Sequence, residues 1–119
     1  MKARWTNFTA DQVAAIVAIP LKIGVDERPH RCPACGEVTL RWYSYLSTGR
    51  PAAALTYVWC SSCRRFHSER TSPPLAPLPD PLSKVVPGER AKLEASLDRF
   101  LEVLDELWAG GSLPQVLAE

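Results

Sequence analysis

No apolar run in this 119-residue sequence approaches the length of a membrane span; Val13 to Leu21 is too short and is capped like a soluble helix. Met1-Lys2-Ala3-Arg4-Trp5 carries no apolar signal segment, which argues against a secreted, disulfide-stapled framework. With four cysteines and no such segment, a reducing cytoplasm is the expected location. Catalytic constellations are missing as well. Ser61, Ser62 and Ser68 lie near His67, but no paired carboxylate and no nucleophile elbow accompanies them, so no enzymatic activity is expected. Lysine has no place between residues 28 and 70, where a surface that tracks phosphate often uses both cations.

What the chain does have is two Cys-x-x-Cys pairs, Cys32/Cys35 and Cys60/Cys63. Each such turn sets two sulfurs about a metal's width apart, and two turns complete a tetrahedron, as in a zinc ribbon. Gly36 gives the first pair a permissive backbone just after its second ligand; the second pair has Arg64 there instead. A thioredoxin-like redox motif would need a strand–helix context and only one pair. Four thiolates close the coordination shell, so one structural Zn2+ is expected rather than a catalytic one. His67 and His30 are alternative ligands, though with four cysteines present both are expected at the surface.

Charge is distributed unevenly behind a formal net of +1. Residues 28–70 hold seven arginines against Glu37 and Glu69, whereas residues 71–119 hold four cations against eight anions. Part of the basic character is expected to answer the negative charge of the thiolates.

A small single α+β domain over residues 1–119 follows from the patterning, small enough for a metal staple to matter. Residues 8–19 read as a short helix, with Thr9 and Gln12 as a capping box and Phe8 stapling Val13. Residues 30–70 read as an antiparallel zinc ribbon of three strands, over 37–46, 53–60 and 65–70. Val38, Leu40, Trp42 and Leu46 share one face of the first strand; Thr39, Arg41, Tyr43 and Tyr45 share the other. Residues 71–87 hold six of the eleven prolines and read as an extended strap. Residues 88–109 form a long amphipathic helix with Leu93, Leu97, Phe100, Leu101, Leu104, Leu107 and Trp108 along its stripe. Residues 110–119 form a tail with enough apolar character to dock.

Two surfaces could carry a function. The ribbon face interleaves Tyr43, Tyr45, Tyr57, Trp59 and Phe66 with Arg41, Arg50, Arg64, Arg65 and Arg70, a pattern suited to stacking on bases and holding phosphate. The helix face places Glu94, Asp98, Glu102, Asp105 and Glu106 toward solvent, a patch suited to a basic protein. Asp105 and Glu106 stand in the last turns, where the helix dipole disfavours anions by about 0.3–1 kcal/mol each.

Cys32-Pro33-Ala34-Cys35-Gly36, Tyr57-Val58-Trp59-Cys60-Ser61-Ser62-Cys63-Arg64-Arg65-Phe66, Asp80-Pro81-Leu82, Leu104-Asp105-Glu106-Leu107-Trp108 and Leu113-Pro114-Gln115 together resemble a family of small, largely uncharacterised bacterial zinc-ribbon proteins ending in an acidic helix. The resemblance implies a scaffold rather than an activity. Some small proteins of this general kind accompany secreted polymorphic toxins and act as immunity partners. The expected function is therefore non-catalytic, intracellular protein binding, most specifically neutralisation of a nuclease- or deaminase-type toxin. Glu94, Asp98, Glu102 and Asp105 would supply the complementary charge, and Tyr43 and Tyr45 the anchors. The alternative is a nucleic-acid-binding ribbon using Arg41, Arg64, Arg65 and Trp59. A third is an assembly subunit that pairs through Leu97 or Leu101 of the long helix.

Overall fold

The computed structural model describes residues 4–19, 28–47, 53–71, 80–82, 85 and 87–115. Within them the chain is α+β. Strand β1 (Thr6–Asn7) is followed by helix α1 (Ala10–Val17) and strands β2 (Leu40–Ser47), β3 (Ala53–Cys60) and β4 (Arg65–Thr71). Helices α2 (Pro87–Ala95) and α3 (Leu97–Ala109) close the order. The sheet runs β1-β4-β3-β2. No helix among the described residues is long and apolar enough to cross a membrane.

The three expected strands pair antiparallel, with Trp42 opposite Val58 and Trp59 opposite Phe66. The fourth strand corrects the expectation of a purely antiparallel sheet, because β1 lies parallel to β4. Two residues are too few to show a period. What holds them is their flanks: Trp5 and Phe8 are both buried, in separate apolar clusters, while the Thr6 and Phe8 amides donate to the Arg64 and Phe66 carbonyls.

The sheet is buried on both faces. On one, Tyr43, Trp59 and Phe66 pack with Trp5, Leu82, Leu113 and the Phe100, Leu101 and Leu104 stripe of α3. On the other, Leu40, Trp42, Val58 and Cys60 pack with Phe8, Ile16 and Cys32. Full burial of each large apolar side chain is worth about 1.5–3 kcal/mol, so two thin cores share the stabilisation. Trp108 joins them, meeting Trp42 at 4.8 Å and Trp59 at 6.3 Å between ring centroids, both edge-on.

Helix α1 starts as its residues dictate. The Thr9 hydroxyl accepts from the Gln12 amide and the Gln12 side chain accepts from the Thr9 amide, while Val13 packs on the cluster that holds Phe8. The long C-terminal helix, by contrast, is two helices. Ser96 is extended, at φ −117° and ψ 96°, and separates α2 from α3. Its side chain makes no capping hydrogen bond; the Ser96 carbonyl accepts from the Phe100 amide at 2.9 Å, and the Ser96 amide donates to the Leu93 carbonyl at 3.1 Å. The leucine spacing continues across the break, so periodicity alone conceals it. One consequence is that Leu97, expected on the buried stripe, is 37% exposed, while Leu101 is wholly buried.

At its end α3 closes with a left-handed Gly111, at φ 88°; the Gly111 amide donates to the Trp108 carbonyl and the Ser112 amide to that of Leu107. This turn aims Leu113 into the core and Gln115 at the outer edge of β2. There the Gln115 carboxamide accepts from the Ser44 amide at 2.8 Å and donates to the Ser44 carbonyl at 2.6 Å. Gln115→Ala leaves that buried amide without its acceptor, and a loss of about 1–3 kcal/mol is expected in denaturant titration. Of the proline-rich strap, residues 72–79, 83, 84 and 86 lie outside the described residues, as do 116–119 of the tail. Asp80 to Leu82 dock, with Leu82 in the core and Asp80 accepting from the Leu82 amide at 2.9 Å.

Candidate metal centre

The four cysteines come together at one end of the sheet. Cys32 and Cys35 lie in the turn before β2; Cys60 ends β3, and Cys63 lies in the turn into β4. The Gly36 amide donates to the Cys32 carbonyl at 2.9 Å, and the Arg64 amide to the Cys60 carbonyl at 3.0 Å. In both turns the residue after the second cysteine has positive φ, 79° at Gly36 and 57° at Arg64. The missing glycine of the second turn therefore changes the cost and not the geometry. A side chain in this region costs about 1–2 kcal/mol. Arg64 is held there by Glu102, with which it forms an ion pair, and by the Trp5 ring, 4.4 Å from its guanidinium.

All four sulfurs lie within 4.8 Å of one another, and none is in a disulfide. Cys32 to Cys63 is 3.7 Å and Cys35 to Cys60 is 3.6 Å. A tetrahedral ion with metal–sulfur bonds of about 2.3 Å sets its ligands about 3.8 Å apart. The group thus fits a metal ion without rearrangement of its closest pairs. Burial pushes the Cys32 and Cys63 thiols up. At Cys60 burial acts in the same direction, but hydrogen bonds from the Cys63 amide, the Thr39 hydroxyl, the Ser62 amide and the Cys63 thiol together outweigh it and lower the thiol to about 7. Thr39, which no spacing rule singles out, is the residue that sequence reasoning missed.

Neither histidine belongs to this group. His67 faces Glu69, 3.5 Å from its carboxylate, and the His30 ring lies 5.5 Å from that of Trp42.

The two candidate binding surfaces turn out to face each other. Asp98 accepts from the Trp5 amide at 3.1 Å and meets Arg4 at 3.7 Å. Glu102 accepts from Trp5 Nε1 at 3.1 Å and pairs with Arg64. Asp105 accepts from Trp59 Nε1 at 2.9 Å and from Arg41 at 2.7 Å. Glu102 and Asp105 are thus not on the solvent side, as expected, but against the chain's own ribbon. The physical reason is that carboxylates flanking the apolar stripe of α3 settle over the arginines that flank the aromatic face of the sheet. This contact also supplies what the helix dipole denies Asp105. Glu106 is exposed, and the side chain of Glu94 lies outside the described ones.

The aromatic anchors are corrected in the same way. Tyr43 is wholly buried; its hydroxyl donates to Asp80 at 2.8 Å and accepts from Arg90 at 2.9 Å. Burial raises that hydroxyl far above its usual range, so it stays protonated. Tyr45 is half-buried under the Arg90 guanidinium, 4.3 Å from its ring, and Trp59 is fully buried. Arg65 reaches back to the Gln12 side chain at 3.3 Å. Of the residues expected to meet nucleic acid, Arg41, Arg64, Arg65 and Trp59 are engaged within the fold, Arg70 is exposed, and Arg50 lies outside the described residues. Comparison with protein-family models, curated proteins and solved structures finds no match to this chain.

Proposed function

We propose that this is a non-catalytic zinc protein of a reducing compartment that acts by binding another protein. The observation that carries the zinc reading is the spacing of the four sulfurs, 3.6 and 3.7 Å at the closest pairs, beside the edge of a four-thiolate zinc tetrahedron. Zinc with four thiolates has no open position for substrate, which favours a scaffold. Protein binding is favoured over nucleic-acid binding because Arg41 and Arg64 are paired with Asp105 and Glu102, and Trp59 is buried. Phosphate would have to displace those carboxylates.

The most specific form of this reading is neutralisation of a basic toxin domain, the role that some small proteins of the general kind this chain resembles have as immunity partners. Its complementary charge would come from Asp98, whose side chain is 46% exposed, and from exposed Glu106 and Glu89 rather than from Glu102 and Asp105. The test is affinity purification of the tagged chain from its native cell, with and without nuclease, followed by mass spectrometry. A single basic protein recovered in equal amount is expected, and its toxicity can then be assayed with and without this chain. Recovery of nucleic acid alone, lost on nuclease treatment, would sink the reading.

A further inference from the structure

We propose that Thr39 is a positioning residue of the metal centre, its hydroxyl donating to the Cys60 thiolate and restraining that sulfur's reactivity. The proposal rests on the zinc reading above. Thr39 Oγ1 lies 3.1 Å from Cys60 Sγ, the shortest sulfur contact at the site. Either atom could donate between neutral groups, but a metal-bound thiolate has no proton, so the hydroxyl must be the donor. Backbone amides also donate to sulfur, among them Ala34 to Cys32 at 3.3 Å and Cys63 to Cys60 at 3.4 Å. Thr39 alone among these does it with a side chain.

Its position makes it a hinge pin between the two turns. Thr39 sits between the first cysteine turn and β2, and its carbonyl accepts from the Ser61 amide at 3.2 Å. The residue thereby grips the second turn twice, once through backbone and once through the hydroxyl. The hydroxyl is half-buried, where a hydrogen bond to a charged acceptor is worth more than one in open water. A thiolate that accepts two hydrogen bonds delocalises its charge, holds its orientation toward the metal and attacks electrophiles more slowly. Groups that orient ligands in this way typically change metal affinity 10–100-fold when removed.

The experiment compares Thr39→Val, Thr39→Ala and Thr39→Ser with the parent chain. Zinc affinity is measured by competition with a chromophoric chelator, and iodoacetamide labelling of the zinc-loaded protein is mapped by peptide mass spectrometry. Val and Ala are expected to weaken zinc about 10–100-fold and to accelerate alkylation at Cys60 over the other three cysteines. Ser, which keeps the hydroxyl, should behave as the parent does. Because Ala and Ser differ by that hydroxyl alone, the comparison stands even if Val disturbs packing. Equal affinity in Ala and Ser, or acceleration spread evenly over four cysteines, overturns the positioning role and leaves the zinc reading intact. A parent chain that takes up no zinc overturns both.

Discussion

Stripping zinc from the purified protein should abolish its cooperative unfolding transition. Four-thiolate sites of this kind contribute about 10–16 kcal/mol of apparent binding energy that becomes folding energy, whereas a whole domain is stable by only about 5–15 kcal/mol. The cysteines are not peripheral here. Cys32 and Cys60 belong to the core cluster that holds Trp42, Phe8 and Ile16, and the second turn carries Arg64, which reaches α3. Releasing the proposed metal would leave four thiols crowded within 4.8 Å and remove a strong tie between the two turns. Trp5, Trp42 and Trp59 are buried and Trp108 is half-buried, so chelation should shift tryptophan emission to the red together with the loss of far-ultraviolet circular dichroism. Restoring one equivalent of zinc should reverse both. Cys60→Ser should reproduce the stripped state. A chelated protein with an unchanged midpoint would show that the thiol cluster is not a structural metal site.

Asp105→Ala should cost about 2–4 kcal/mol, between the value of a hydrogen bond to a charged group and that of breaking a buried pair. Its carboxylate serves two donors, Trp59 Nε1 and the Arg41 guanidinium, and both partners are at most about a fifth exposed at the pair. Arg41 Nε is already buried without a hydrogen-bond partner among the described residues, so little stands ready to replace the lost acceptor. Asp105→Asn keeps an oxygen for Trp59 and should cost less. A double-mutant cycle with Arg41→Met should recover part of the loss, since removing both partners avoids leaving a charge behind. Urea titration of the four proteins reads this directly. A change in Asp105→Ala below about 0.5 kcal/mol, the range of ordinary surface substitutions, would return Asp105 to a solvated face, free to meet a partner.

These expectations show where the sequence was sufficient. The cysteine pairs and the Thr9–Gln12 box could be read because their partners lie within a few residues, and short spacing leaves the backbone few arrangements. The three antiparallel strands were legible from alternation, although alternation could not say that both faces would be covered. Elsewhere the deciding neighbour is remote. β1 exists because Trp5 and Phe8 find separate cores, and no period marks two residues. Ser96 breaks a helix whose leucines keep their spacing. Glu102 and Asp105 were assigned to solvent because a helix considered alone places charge outward. Only the packed chain reveals that the basic ribbon, some 40 to 60 residues away, had the complementary need. Arg64, in the place where the first turn has glycine, is a similar case: what secures its backbone is a tryptophan and a glutamate far from it along the chain.

The Gln115 carboxamide has a bearing on solubility. An outer strand offers its backbone to any passing chain, and a long, clean edge is a template for sheet growth between molecules. β2 is that strand, and it does not lie open along its length: the His30 backbone occupies Leu40 and one side chain occupies Ser44, four residues further on. Too little uninterrupted edge is left between them for an incoming strand to gain a foothold. The Gln115 carboxamide thereby does part of the work of a missing strand, and versions of the protein cut short before it would present a more adhesive edge.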